Sequence, residues 1–142
     1  MSPEVVLAGA GRFRELRAGR LASWLGDLVA DVAPEFDSVG VRFSGDLAIR
    51  RLNRDFRGKD KATDVLSFPG EPSPDGRHLG DIVISVPTAK KQALERGAAL
   101  DDEVRLLLLH GVLHCLGHDH ETDDGEMERL ERRLRRRWLK RA

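Results

Sequence analysis

The stretch from Asp102 to His120, DEVRLLLLHGVLHCLGHDH, decides the architecture. Apolar residues crowd it at Val104, Leu106 to Leu109, Val112, Leu113 and Leu116. A helix apolar on every side is buried on every side, so a central helix covered by the other elements is expected here. Asp101, Asp102 and Glu103 put negative charge at its start, where the helix macrodipole favours it. His110 and His114 stand four apart inside this apolar run, on one helix face. Burying two imidazoles without a shared partner would be costly, whereas a single ion can hold both. Each nitrogen would then sit ~2.0–2.1 Å from it. Gly117 tolerates the left-handed conformation that ends a helix, so the chain can fold back and aim His120 at the same ion. Three neutral His ligands leave a fourth tetrahedral position for water, as catalytic rather than structural zinc sites do. One Zn2+ on His110, His114 and His120 is therefore expected. Ligand softness prefers zinc, although imidazole sites also accept nickel or copper. Cys115 reads as a small core residue. His118 and Asp119 could be ligands but are better read as support, Asp119 orienting a ligand imidazole.

Working outward, Pro3 to Ala8 is a short β-prone run around Val5, Val6 and Leu7. Apolar residues recur at helical spacing from Phe13 to Val29, and Pro34 interrupts the pattern. Val39, Val41 and Phe43 alternate as a strand, and Asp46 to Phe56 returns to helical spacing. Val65 to Phe68 is a short strand. The segment Pro69 to Leu79 carries three prolines and two glycines and reads as a loop. Ile82, Ile84 and Val86 alternate as another strand. A helix follows, with Pro87 where it can start and Gly97 where it can stop. After the central helix comes a last one, from about Asp124 to Leu139, with acids first and arginines second. The order β-α-β-α-β-β-α-α-α predicts an α+β single domain over residues 1–142, with a mixed sheet of about four strands and about five helices.

Composition narrows the function classes. The 142 residues suit one domain, and 24 basic against 24 acidic residues leave no bulk charge to attract a polyanion. A single cysteine, Cys115, rules out an internal disulfide. No stretch approaches the ~18 apolar residues of a membrane span, and Met1 to Gly11 lacks the pattern of a signal peptide. A cytoplasmic protein without a membrane partner is expected.

Charge is local instead. Between Arg50 and Lys61 stand six cations (Arg50, Arg51, Arg54, Arg57, Lys59 and Lys61) against Asp55 and Asp60, an excess of four. Such a patch draws RNA phosphates. Arg57, expected in the loop leading to Val65, offers a planar fork for bidentate phosphate contact. Arg50 and Arg51 read equally well as a solvated helix face. In the last helix, Arg132, Arg133, Arg135, Arg136, Arg137, Lys140 and Arg141 follow five acids, so they complement the helix dipole and pair at i, i+4. An auxiliary RNA contact there stays open.

The histidine spacing also fits the zinc protease motif H-E-x-x-H-x-x-G-x-x-H at every ligand position, but Gly111 replaces the general-base glutamate. A peptidase is thereby demoted. The chain instead resembles the bacterial YbeY endoribonucleases, a metalloprotein family with a motif of the form H-G-x-L-H-x-x-G-[aromatic or His]-D-H, matched by His110 to His120. Leu52 to Pro69, LNRDFRGKDKATDVLSFP, and Leu79 to Ile82, LGDI, match two further family blocks in family order. Ala62 stands where proline is frequent, and His118 where tyrosine is. The resemblance implies a single-strand-specific, zinc-dependent endoribonuclease acting in 16S ribosomal RNA 3′-end maturation and ribosome quality control. It implies zinc ligands at His110, His114 and His120 and a functional arginine at Arg57. Lys59, His118 and Asp119 are expected to support the site or touch substrate. Ribosomal RNA, the ribosome and ribosomal proteins are the implied partners. A metallopeptidase-like hydrolase and a non-catalytic zinc-containing ribosome assembly factor remain the alternatives.

Overall fold

A computed structural model describes residues 3–74, 76–118 and 124–139. The order is β1 (Glu4–Ala8), α1 (Ala18–Val32), β2 (Ser38–Ser44), α2 (Asp46–Arg57), β3 (Val65–Pro69), β4 (Pro72–Ser73), β5 (Gly76–Ser85), α3 (Val86–Arg96), α4 (Leu100–Cys115) and α5 (Glu126–Trp138). The sheet runs β1-β2-β5-β3. The first three strands are parallel and β3 is antiparallel on the outside, so the sheet is mixed as expected. β4 only extends the hairpin at the start of β5.

The two faces of the sheet are covered unequally. On one face, Val41 and Phe43 of β2 and Ile82 and Ile84 of β5 meet Leu21, Leu25 and Leu28 of α1 and Leu108, Leu109, Val112 and Leu113 of α4. Met127 and Leu134 of α5 close this main core. On the other face a small cluster holds α2: Ile49 and Leu52 on Leu66, Phe68 and Val83. Asp46 at the first turn of α2 accepts hydrogen bonds from the hydroxyls of Ser85 (2.5 Å) and Thr88 (2.7 Å), locking α2 to the β5–α3 junction.

Register fixes which ends meet. α2 starts beside Ser85 and brings Phe56 onto Phe68, next to last in β3 and paired with Asp81 midway along β5. α4 packs Gly111 against Ile82 and Cys115 against Gly80. Both helices therefore end at the same end of the sheet, on opposite faces, with the outer strand β3 between them.

Several expectations change. The first helix begins at Ala18, not Phe13. Phe13 and Leu16 reach the core from a 3-10 turn at Ala10–Arg12 and the irregular chain after it, so their helical spacing is coincidental. Pro72–Ser73 and Gly76 to Leu79 are strand rather than loop: Pro72 pairs with Arg77 in a short hairpin, and Gly76 and Gly80 take φ of 142° and 152°, which strand-forming side chains avoid. Val86 opens α3 instead of closing the strand, because Ser85 accepts the Thr88 N–H as N-cap and Pro87 occupies the first turn. Arg57 is the last residue of α2, not a loop residue; the loop starts one position later, at Gly58 with φ of 71°. Finally, α4 is not buried all round. Asp102, Leu106, His110 and His114, spaced by four, form a half-buried stripe along it.

Candidate metal centre and basic helix

His110 and His114 project from that stripe and face one another, with Nε2 atoms 2.9 Å apart and ring centroids at 4.4 Å. Ligands of a tetrahedral ion at ~2.0–2.1 Å stand about 3.3 Å from each other, so the pair needs to open by only a few tenths of an ångström to share one. Two imidazoles so placed are donors that zinc accepts. His110 Nδ1 lies 3.5 Å from Glu131 Oε1 of α5, which sets the ring so that Nε2 points at its neighbour. Along the chain Glu131 is one more acid of the last helix. Nothing in its spacing announces the contact, because the partner comes from another helix.

Gly117, with φ of 95°, ends α4 as expected: its N–H bonds the His114 carbonyl and that of His118 the Leu113 carbonyl. His120 and Asp119 lie outside the described residues, and His118 is half-buried beyond the turn. Among the described residues no three His, Cys, Asp or Glu side chains gather round one point.

Gly111 faces the sheet. A Cβ there would lie 2.8 Å from Ile82 Cγ2, and its carbonyl accepts from Ser67 Oγ at 3.2 Å. The position where zinc proteases carry a glutamate is thus filled by the sheet. Cys115 is 8% exposed. Burial first, then the Asp81 charge, pushes its thiol up to about 12, against a smaller opposing hydrogen bond from Ser67. It is a protonated core residue at neutral pH, not a thiolate ligand.

On the other face, the basic segment divides. Arg50 pairs with Asp60 at 2.9 Å, and Arg54 with Asp55 at 3.1 Å. The Asp60 carboxyl is held below its usual range, chiefly by the Arg50 hydrogen bond. Arg51, Arg57, Lys59 and Lys61 have no ion pair among the described residues, and these are the four excess charges. Arg57 and Lys59 are exposed. Beneath them Asn53, 1% exposed, donates from Nδ2 to the Lys61 carbonyl at 2.9 Å and pins the basic loop to α2. In α5, Arg132 pairs with Glu128 at i, i+4 as expected, and Arg137 reaches Asp31 of α1 at 3.3 Å. Lys140 and Arg141 lie outside the described residues.

A model of the family described as Endoribonuclease YbeY matches residues 14–139. The chain belongs to the YbeY family. Its similarity to relatives carrying that description is high: 53% identity to one from Solibacter usitatus, over 82% of this chain and 74% of that one. A relative from Nautilia profundicola is 62% identical over 63% of each chain. One from Helicobacter pylori (strain Shi470) is 46% identical over 75% of each. The solution structure of TM1509 from Thermotoga maritima is similar over 93% of this chain and 87% of that one, with a TM-score of 0.59 and 26% identity. The α+β fold read from the sequence agrees with that likeness; the block Leu52–Pro69 falls on α2–β3, and the block His110 to His120 begins on α4 and runs past the described residues. No described helix is long and apolar enough to cross a membrane.

Proposed function

We propose that this YbeY-family chain is a single-strand-specific endoribonuclease that hydrolyses phosphodiester bonds with one zinc ion held by His110, His114 and His120. The approach of two imidazole Nε2 atoms to 2.9 Å on a half-buried stripe carries the reading. When bound, zinc supplies Lewis acidity and a source of hydroxide near neutral pH. The chain's own groups do the rest. Glu131 beside Nδ1 favours the His110 tautomer whose lone pair is on Nε2, the atom that would ligate. Arg57, at the same end of the sheet, donates to phosphate oxygens as charge builds on them. Asn53 and Gly58 fix the turn that carries Arg57 and Lys59. The cations without an ion pair on α2 and its loop hold the RNA backbone, so binding weakens as salt rises.

In the cell this activity serves 16S ribosomal RNA 3′-end maturation and ribosome quality control, with the ribosome and its proteins as partners in the cytoplasm. The packing of Gly111 on Ile82 weighs against a peptidase, which would need a carboxylate there.

The test is cleavage of labelled single-stranded and duplex RNA, with casein as a control, by zinc-loaded protein. Arg57→Ala is expected to cut about 10²–10³-fold more slowly without loss of folding. His114→Ala is expected to fold yet be inactive. Parental rates from Arg57→Ala would remove its role. An unfolded His114→Ala would favour a structural zinc in an assembly factor.

A further inference from the structure

We propose that the uncovered part of the sheet beside α2 is a nucleotide subsite, in which one base of single-stranded RNA stacks on Phe56 and is read by Asp81. The inference rests on the endoribonuclease reading and extends it.

α2 covers only part of its face of the sheet. Beyond it lies a groove of about 490 Å³, walled by Phe56, Phe68 and Val6 and floored by Gly40, Arg42 and Asp81. Ligand pockets span about 300–1,000 Å³, so a nucleotide fits. Phe56 is 68% exposed and Val6 51%, a large apolar surface left in water. The Phe56 ring is braced edge-to-face on Phe68, with centroids 5.3 Å apart at 74°. A braced, exposed aromatic ring is a stacking platform.

Asp81 is fixed as firmly. His78 Nε2 lies 3.1 Å from Asp81 Oδ1, and His78 Nδ1 lies 2.7 Å from Ser38 Oγ. Gly40 makes room, since any Cβ there would collide with Asp81 Oδ1. The Asp81 side chain is nevertheless 64% exposed. A carboxylate only accepts hydrogen bonds, so it favours bases presenting an amino group. Uracil, whose one ring N–H sits between two carbonyls, is disfavoured.

Charge selects the occupant. Arg42 lines the groove and Arg57 follows Phe56 at the end of α2, a cationic rim with no ion pair among the described residues. An apolar protein partner gains nothing from that rim, whereas a polyanion with flat apolar bases matches both features. RNA seated here need cross only the outer strand β3 to reach the histidines of α4.

The experiment measures binding of short, labelled, cleavage-resistant 2′-O-methyl oligomers of A, C and U to the zinc-loaded full chain. Phe56→Ala is expected to weaken binding about 5- to 100-fold. Phe56→Tyr should restore it, and Leu94→Ala, which removes an 84%-exposed side chain on α3, should leave it unchanged. Asp81→Asn should erase the preference for C over U, and it decides alone if Phe56→Ala does not fold. Unchanged affinity in Phe56→Ala, with RNA still bound and cut, overturns the subsite and leaves the nuclease reading standing. A wild-type chain that neither binds nor cuts RNA sinks both. If Phe56→Ala leaves RNA binding intact but dissociates a dimer in sedimentation, the groove belongs to a second copy and the proposal is wrong.

Discussion

Two single residues bear most directly on the imidazole pair. Glu131 touches the far nitrogen of His110, and an oriented ligand binds metal more tightly than one that must be ordered on binding. Glu131→Gln is expected to weaken zinc affinity about 10- to 100-fold in a chelator competition. Glu128→Gln, one turn away on a 72%-exposed side chain, should have no effect. Gly111 works by absence: a methyl group there would press on Ile82, which is 0% exposed and has nowhere to move. Gly111→Ala should cost about 1–3 kcal/mol in urea denaturation. The sequence shows Gly111 only as a missing carboxylate. Its packing role depends on β5 lying beneath it, which no spacing along one helix reveals. The same limit hid Glu131 and the Asn53 hydrogen bond, both of which act across elements.

At the scale of elements, periodicity was readable where one segment had one apolar face. α2, α3 and α4 lie close to their expected spans because caps and breakers agree with the pattern, as with Gly58, Pro87, Gly97 and Gly117. It failed where irregular chain supplies core residues, at Phe13 and Leu16, and where a hairpin is built from glycine and proline at Pro72 to Leu79. The seating of α2 hangs on Asp46. Its carboxyl is held below the ordinary range by the Ser85 hydroxyl and then the Thr88 hydroxyl. A carboxyl whose pKa falls on folding stabilises above its unfolded value, ~3.9, and that contribution disappears as pH drops through the folded value. Asp46→Ala should therefore lower stability at pH ~7 by about 1 kcal/mol, while near pH ~2 the two proteins converge. Equal urea midpoints at neutral pH would show that α2 is held by its apolar cluster alone.

For the whole molecule, the sheet separates two kinds of chemistry. The thick face, with α1, α4 and α5, holds the half-buried imidazole pair. The thin face carries α2, the cations and the bare groove. Register brings both to one end of the sheet, so in the proposed function phosphate binding and metal chemistry would meet across β3. Family membership and fold class were legible because motif blocks and helix patterns survive in one dimension. The meeting of the two faces was not, since it follows from strand order and register. X-ray absorption at the zinc edge, on protein purified without chelator or nickel resin, tests the proposed three-histidine zinc site most directly. The expected spectrum has a nitrogen or oxygen shell at ~2.0–2.1 Å with scattering from three imidazoles and no sulfur. A sulfur shell at ~2.3 Å, or protein that holds no zinc, would contradict it.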